Sequence, residues 1–320
     1  MKNITYILLT SLLAIGIISC KQDEILKERP KDFLTPENSF NTPGAFESAL
    51  ANIYLNIRQN TYEGDGGWTA HRVLGAGADL GAYYPSGNLS PIFNWNTLNA
   101  DDDFSRTWWT QYYNWIGQAN VIIDRAGNEV VKWSSEEEKN VIVGEARFLR
   151  AFAYYFLANM WGGVPLVLHE TTGPKFDYYR SSQDSVYQQC KEDLEFAVKW
   201  MKPVDQLPGG RAPRAAAYTL LSEVYISMKK YDEAIKAASA VIDNPNFRLM
   251  TERFGALKNF TFSGYTYQGA TAPWGDVYWD LFIEGNFNWK TGNHEAIWNA
   301  EFDVSAKGGG GLDISSNGGD

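Results

Sequence analysis

The chain is poor in the residues that most metal and redox chemistry needs. It has 2 cysteines and 3 histidines in 320 residues. Cys20 and Cys190 are too few for a disulfide framework. His71, His169 and His294 lie far apart along the chain, which argues against a histidine-based metal centre. Basic residues are also short: 28 Lys and Arg stand against 38 Asp and Glu, a net charge of −10. No Lys/Arg-rich block offsets that balance, so binding to a phosphate backbone is disfavoured. No apolar run is long enough for a comfortable transmembrane helix; the longest, Ile4 to Ile18, is the h-region of an export signal. Catalytic signatures are missing too. There is no His-Glu-x-x-His, no Gly-x-Ser-x-Gly and no Gly-x4-Gly-Lys-Ser/Thr.

Aromatic residues are abundant: 12 Trp, 18 Tyr and 17 Phe, or 15% of the chain. The apolar share, 44%, is ordinary for a globular protein and sufficient for a large core.

The N-terminus reads as an address. Lys2 supplies a positive n-region, and the h-region ends in Ile17-Ile18-Ser19-Cys20. A small residue just before a cysteine, after an h-region, has the form of a bacterial lipobox, with Cys20 as the acylated first residue of the mature chain. An ordinary secretory signal with an incidental cysteine is the alternative. Residues 1–19 are then a signal peptide and 20–41 a tether that begins with the acidic run Lys21-Gln22-Asp23-Glu24. Several acyl chains together give stable anchoring where one does not. Cys190 sits in an apolar-periodic stretch and reads as a buried structural thiol.

The rest of the chain, 42–320, alternates helical and irregular stretches. Apolar spacings of three and four predict a helix over 42–59, for which Thr35 or Asn38 is the candidate cap, and another over 105–125. Ser134-Ser135 before Glu136-Glu137-Glu138 is a capped acidic start. The helix that follows, to Trp161, is apolar nearly all round and should be central; Gly162-Gly163 and Pro165 end it. Further helices are predicted over 182–201, 213–228 and 231–243. The last two, with small residues at their crossing, have the form of a tetratricopeptide hairpin, and 145–161 with 185–201 could be the preceding one. The fold class is therefore mainly α: a helical-repeat scaffold over 42–59 and 105–245, with loop-rich excursions over 60–104 and 246–320. Within the second excursion Glu295 to Phe302 could be a strand. Trp108, Trp109, Trp115, Trp133, Trp161 and Trp200 fall in helical stretches and read as packing. Asp101-Asp102-Asp103 could hold calcium, but a helix N-terminal acidic run explains it better.

Four segments together resemble the SusD/RagB-like outer-membrane lipoproteins of Bacteroidetes. They are Gly144-Glu145-Ala146-Arg147-Phe148-Leu149-Arg150-Ala151 through Gly162-Gly163-Val164-Pro165-Leu166, then Arg180-Ser181-Ser182 with Val186-Tyr187. Gly210-Arg211-Ala212-Pro213-Arg214-Ala215-Ala216-Ala217 with Leu220 to Tyr225 is the third, and Asn293-His294-Glu295-Ala296-Ile297-Trp298 the fourth. They appear in the family's order over nearly the whole chain. Family members are substantially longer, and nothing after Asn299 supplies their further helix with an Arg-x-Ala-Glu-like signature, so the chain resembles a C-terminally truncated member.

The resemblance implies a non-enzymatic protein without cofactor or metal, lipid-anchored at the outer membrane and exposed at the cell surface. Its partners would be an oligosaccharide, the membrane, and a SusC-like TonB-dependent β-barrel transporter, with no nucleic acid. It also implies a ligand surface built by the two excursions. By position, Asp79, Trp95 and Asn96 fall in the first, and Trp274, Tyr278, Trp279 and Trp289 in the second. Trp95 and Asp79 are the leading candidates. Aromatic rings would stack on the apolar faces of sugars while polar groups bond their hydroxyls. Three alternatives stay open at this level: a repeat adaptor that serves as a transporter lid without a sugar of its own, a peptide-binding relative, and a glycosidase, for which no particular carboxylate pair stands out.

Overall fold

The computed structural model describes residues 35–63, 99, 101–255, 258, 276–283 and 285–301. Two compact units divide the chain, 1–39 and 40–320. In the first, a single helical turn α1 (Pro36–Ser39) is closed by the Asn38 carboxamide oxygen, which accepts from the Thr35 N–H at 2.8 Å.

The second unit holds the predicted helices. They are α2 (Pro43–Arg58), α3 (Asp103–Arg125), α4 (Glu136–Trp161), α5 (Gln183–Trp200), α6 (Arg214–Ser227) and α7 (Tyr231–Ile242); a single turn, α8 (Val277–Asp280), lies in the second excursion, where no helix is predicted. α4 is the axis of the fold. It packs against α2, α3 and α5; α5 then packs on α6, and α6 on α7. This is the stacked-hairpin arrangement that the two apolar faces require, since each hairpin covers its neighbour.

Local chemistry sets the boundaries. α4 begins where the Ser135 hydroxyl accepts from the Glu138 N–H at 3.1 Å, with three glutamates in the first turn. It stops at Gly162, whose φ is +73°. Gly163 is needed for a different reason: a Cβ there would lie 2.2 Å from the Ser181 carbonyl oxygen. α5 is capped by the Ser182 hydroxyl, which accepts from the Ser185 N–H. α2 has Thr42 at its N-cap with no side-chain cap bond, so neither Thr35 nor Asn38 caps it. Its Pro43 needs no partner for a missing N–H.

The core gathers Phe46, Leu50 and Ile53 of α2, Trp108, Tyr112 and Trp115 of α3, and Phe148, Leu149 and Tyr154 of α4. Each such side chain, fully buried, contributes about 1.5–3 kcal/mol. Cys190 is buried among them as expected, and burial pushes its thiol well up, with Asp193 adding to the effect.

Two polar networks cross this core. Arg150 binds Asp193 through both Nε (2.8 Å) and Nη2 (2.7 Å), and its Nη1 donates to Asn120 Oδ1 and to the Leu168 carbonyl. Asn120 and Tyr154 in turn bond the Val167 carbonyl, and Tyr113 donates to that of Pro165. The strap 164–170 is thereby tied across α3 and α4. In the second network Glu145, 1% exposed, accepts from Arg211 Nε at 2.6 Å and from the Tyr54 hydroxyl at 3.2 Å. It joins α2, α4 and the turn before α6. Burial raises the Glu145 carboxyl, and Arg211 offsets this in part. Burial also works against the charge on Arg211, yet Glu145 and Glu47 beside it hold the guanidinium above its ordinary value.

Two expectations are corrected. Glu295 to Glu301, the described part of the predicted strand, is irregular. Among the described residues no neighbouring strand is available there, and Ile297 and Trp298 instead pack on the helical core. Trp133 lies in the connection between α3 and α4, not in a helix; its indole N–H donates to the Ala126 carbonyl at 3.0 Å and its ring sits 4.9 Å from that of Phe46.

Candidate functional site

Of the residues expected to touch a ligand, Asp79, Trp95, Asn96 and Trp274 lie outside the described residues, as does Cys20. Tyr278, Trp279 and Trp289 are described, and all three belong to one polar knot formed by 246–255 and 276–301.

The knot is built from short-range bonds. Asp276 caps α8 by accepting from the Trp279 N–H at 2.8 Å. Asp280 is wholly buried, and its Oδ2 accepts from Arg253 Nε at 2.6 Å and from the Phe254 N–H at 3.0 Å. The bond from Arg253 to Asp280 raises the guanidinium above its ordinary value. Asn286 donates to the Asp280 carbonyl at 2.9 Å, and Asn293 to the Asn286 carbonyl at 3.0 Å. Gly255 completes the turn with φ +72°; a Cβ there would come 1.8 Å from Asn286 Oδ1, so no other residue fits.

This knot sorts the aromatic side chains. The Trp289 indole N–H is spent on the Asn246 carbonyl at 2.8 Å, and its ring meets His294 edge-on at 5.4 Å. Trp279 has the Arg253 guanidinium 5.6 Å from its ring centroid, a cation–π arrangement. Both are half-buried. Tyr278 is different: it is 69% exposed and pairs with Phe282, 70% exposed, at a centroid distance of 5.1 Å. Two adjacent, solvent-facing rings held by a rigid polar base form a ledge. Such a surface suits the C–H face of a flat, amphipathic ligand. Phe282 was missed by the sequence reading. The signal for it was the i, i+4 spacing from Tyr278, just after an Asp cap.

At the other acidic candidate, the Asp102 carboxylate accepts from the Asn99 N–H at 2.6 Å and Asp103 pairs with Arg106. The first bond closes the turn before α3 and the second lies within its first turn; the Asp102 side chain makes no cap bond to the helix. Among the described residues, no three His, Cys, Asp or Glu side chains converge as metal ligands would.

Stacked helical hairpins define the class: a mainly α, tetratricopeptide-like repeat scaffold. Residues 32–226 match the model of the SusD-like family described as "Starch-binding associating with outer membrane". That is more than half of the chain, and the chain belongs to this family. SusD-like protein P2 of Formosa agariphila is 27% identical over 235 residues, which cover 73% of this chain and 45% of that protein. The chain spans about half the length of the curated relatives it matches, 45–48%. Among solved structures, a SusD superfamily protein of Bacteroides thetaiotaomicron has a TM-score of 0.56 at 25% identity, covering 66% of this chain and 48% of its own. A structure with xylogluco-oligosaccharide has a TM-score of 0.54 at 25% identity, covering 65% and 42%.

Proposed function

We propose that this protein binds an oligosaccharide at the outer face of the outer membrane and passes it to a TonB-dependent β-barrel transporter without breaking a bond. Cys20 carries the lipid anchor in this reading. The observation that supports it is the Tyr278–Phe282 ledge: two exposed rings, side by side, on a base of buried Asp–Arg and Asn bonds. Sugars offer apolar C–H faces to such rings. The family's description and the xylogluco-oligosaccharide held by a structural neighbour favour a glycan over a peptide as ligand. Trp95, Asp79, Asn96 and Trp274 remain proposed contributors from the two excursions, and so do Trp279 and Trp289.

The test is calorimetric titration with starch- and xyloglucan-derived oligosaccharides. The double variant Tyr278→Ala/Phe282→Ala is expected to bind at least about tenfold more weakly, a difference of about 1.4 kcal/mol. Binding that is unchanged in the variant would move the site off the ledge. Absence of binding to every oligosaccharide would remove the glycan from the reading.

A further inference from the structure

A cavity away from the ledge has its own chemistry. It opens between α2 and the turn 208–211, and residues 298–301 close its third side. Its volume is about 380 Å³, inside the range of roughly 300–1,000 Å³ that small-molecule sites occupy. Leu50, Ala51 and Ile57 of α2 give it an aliphatic wall. The Trp298 indole N–H is spent on the Gly210 carbonyl at 3.0 Å, so this ring adds apolar surface only.

The rim is polar and carries charges of both signs, Glu47 and Glu301 beside Arg58 and Arg211. Arg211 lies between two carboxylates, with Nη1 at 2.6 Å from Glu47 and Nε at 2.6 Å from Glu145. Across from it the Glu301 carboxylate accepts from Asn288 Nδ2 at 2.7 Å. The turn keeps bare backbone at this rim for a steric reason. A Cβ on Gly209 would come 2.6 Å from Asn288 Nδ2 and 3.0 Å from Glu301 Oε1, and Gly210 has φ +77°.

This combination selects a ligand class. An anion gains little from a guanidinium that two carboxylates already satisfy, and a cation drawn to Glu301 would meet Arg58, whose Nη1 donates to the Glu301 carbonyl at 3.4 Å. A neutral ligand with adjacent hydroxyls fits both members of the pair. One hydroxyl can accept from Arg211 while its neighbour donates to Glu47, and a C–H face can lie on Leu50, Ala51 and Trp298. We propose that this cavity is a second saccharide subsite, taking a neutral mono- or disaccharide unit independently of the Tyr278–Phe282 ledge. The proposal rests on the glycan reading given above.

Maltose and cellobiose are the probes, since a disaccharide can fill the cavity without reaching along a ledge. They are titrated into the full chain beside longer glucose oligosaccharides. Ala51→Phe fills the cavity from an exposed position on α2, and Glu47→Gln, half-exposed, keeps the rim's shape while removing its charge. Both are expected to weaken disaccharide binding at least tenfold, whereas Tyr278→Ala changes it less than twofold. Disaccharide affinity unchanged in both cavity variants overturns the subsite. So does binding of longer oligosaccharides alone, through the ledge; the glycan reading then stands by itself. If no saccharide of any length binds, subsite and glycan reading fall together. Melting curves of each variant confirm that the fold is kept.

Discussion

At the scale of single residues, the largest stakes lie where charge is buried. Asp193 is wholly buried, and its carboxylate is held by Arg150 from two nitrogens, with Arg147 3.7 Å away. The attraction within such a pair roughly offsets the cost of dehydrating it, so the intact pair adds little net stability. Removing one member is another matter. Asp193→Ala leaves the Arg150 guanidinium, 5% exposed, without its counter-ion, at a cost of about 3–5 kcal/mol. Equilibrium urea denaturation of the variant measures this, and a loss below about 1 kcal/mol would show that Arg150 finds another partner. The strap 164–170 should loosen at the same time, because the same guanidinium holds the Leu168 carbonyl. The Glu145–Arg211 pair follows the same logic with one difference. Glu145 Oε1 has no hydrogen-bond partner among the described residues, so this network carries an unsatisfied acceptor.

At the scale of elements, the start of α4 can be dissected because its two capping bonds differ chemically. Ser135 supplies a neutral acceptor to the Glu138 N–H, while the Glu138 carboxylate accepts from the Ser134 N–H at 2.7 Å and from its hydroxyl at 2.8 Å. Those bonds from Ser134 hold the Glu138 carboxyl below its ordinary value. A depressed folded-state value means that the bond stabilises the fold above the unfolded carboxyl's pKa, about 4.3, and that this contribution disappears as pH falls through the folded value. Ser135→Ala is therefore expected to cost about 1 kcal/mol at every pH. Glu138→Gln is expected to destabilise at pH 7 and to become indistinguishable from wild type once both states are protonated. Thermal melts over a pH series from 7 downward separate the two; a Glu138→Gln penalty constant across the series would assign its effect to shape instead of charge. This same boundary was legible in the sequence, since Ser-Ser before three glutamates is a cap with a local cause. So were α3, α5, α6 and α7, whose apolar spacing is dictated by the face each buries. The run 295–301 was not. Ile297 and Trp298 look like strand residues because they are apolar in a Gly- and Asn-punctuated stretch, but what they bury against comes from α4 and α6, far away in sequence. The ledge was half legible for a similar reason. Irregular aromatics singled out Tyr278, Trp279 and Trp289, yet only the fold decides that Trp289 spends its N–H on Asn246 and that Tyr278 stays open.

At the scale of the whole molecule, a stack of hairpins in which most contacts join neighbouring helices should not open as one body. α4 has 14 buried residues among its 26 and is covered by α2, α3 and α5. α7, at the far side of α6, buries only Ala234, Ala237 and Val241. Its other face presents Tyr231, Ile235 and Ile242, which are 59, 63 and 76% exposed. Opening α7 therefore uncovers little apolar surface, whereas opening the centre of α4 requires the core itself to come apart. Native-state hydrogen exchange is expected to show this as a gradient. Amides 149–157 of α4 should exchange only through global unfolding, those of α5 and α6 at intermediate rates, and those of α7 on the order of a hundredfold faster than α4. The strap 164–170, irregular but tied by Arg150, Asn120 and Tyr154, should be protected beyond what its lack of helix suggests, and Asp193→Ala should abolish that protection while leaving α7 unchanged. Uniform protection from α4 through α7 would mean that the hairpins act as a single cooperative unit, and the nearest-neighbour account of this scaffold would then be wrong.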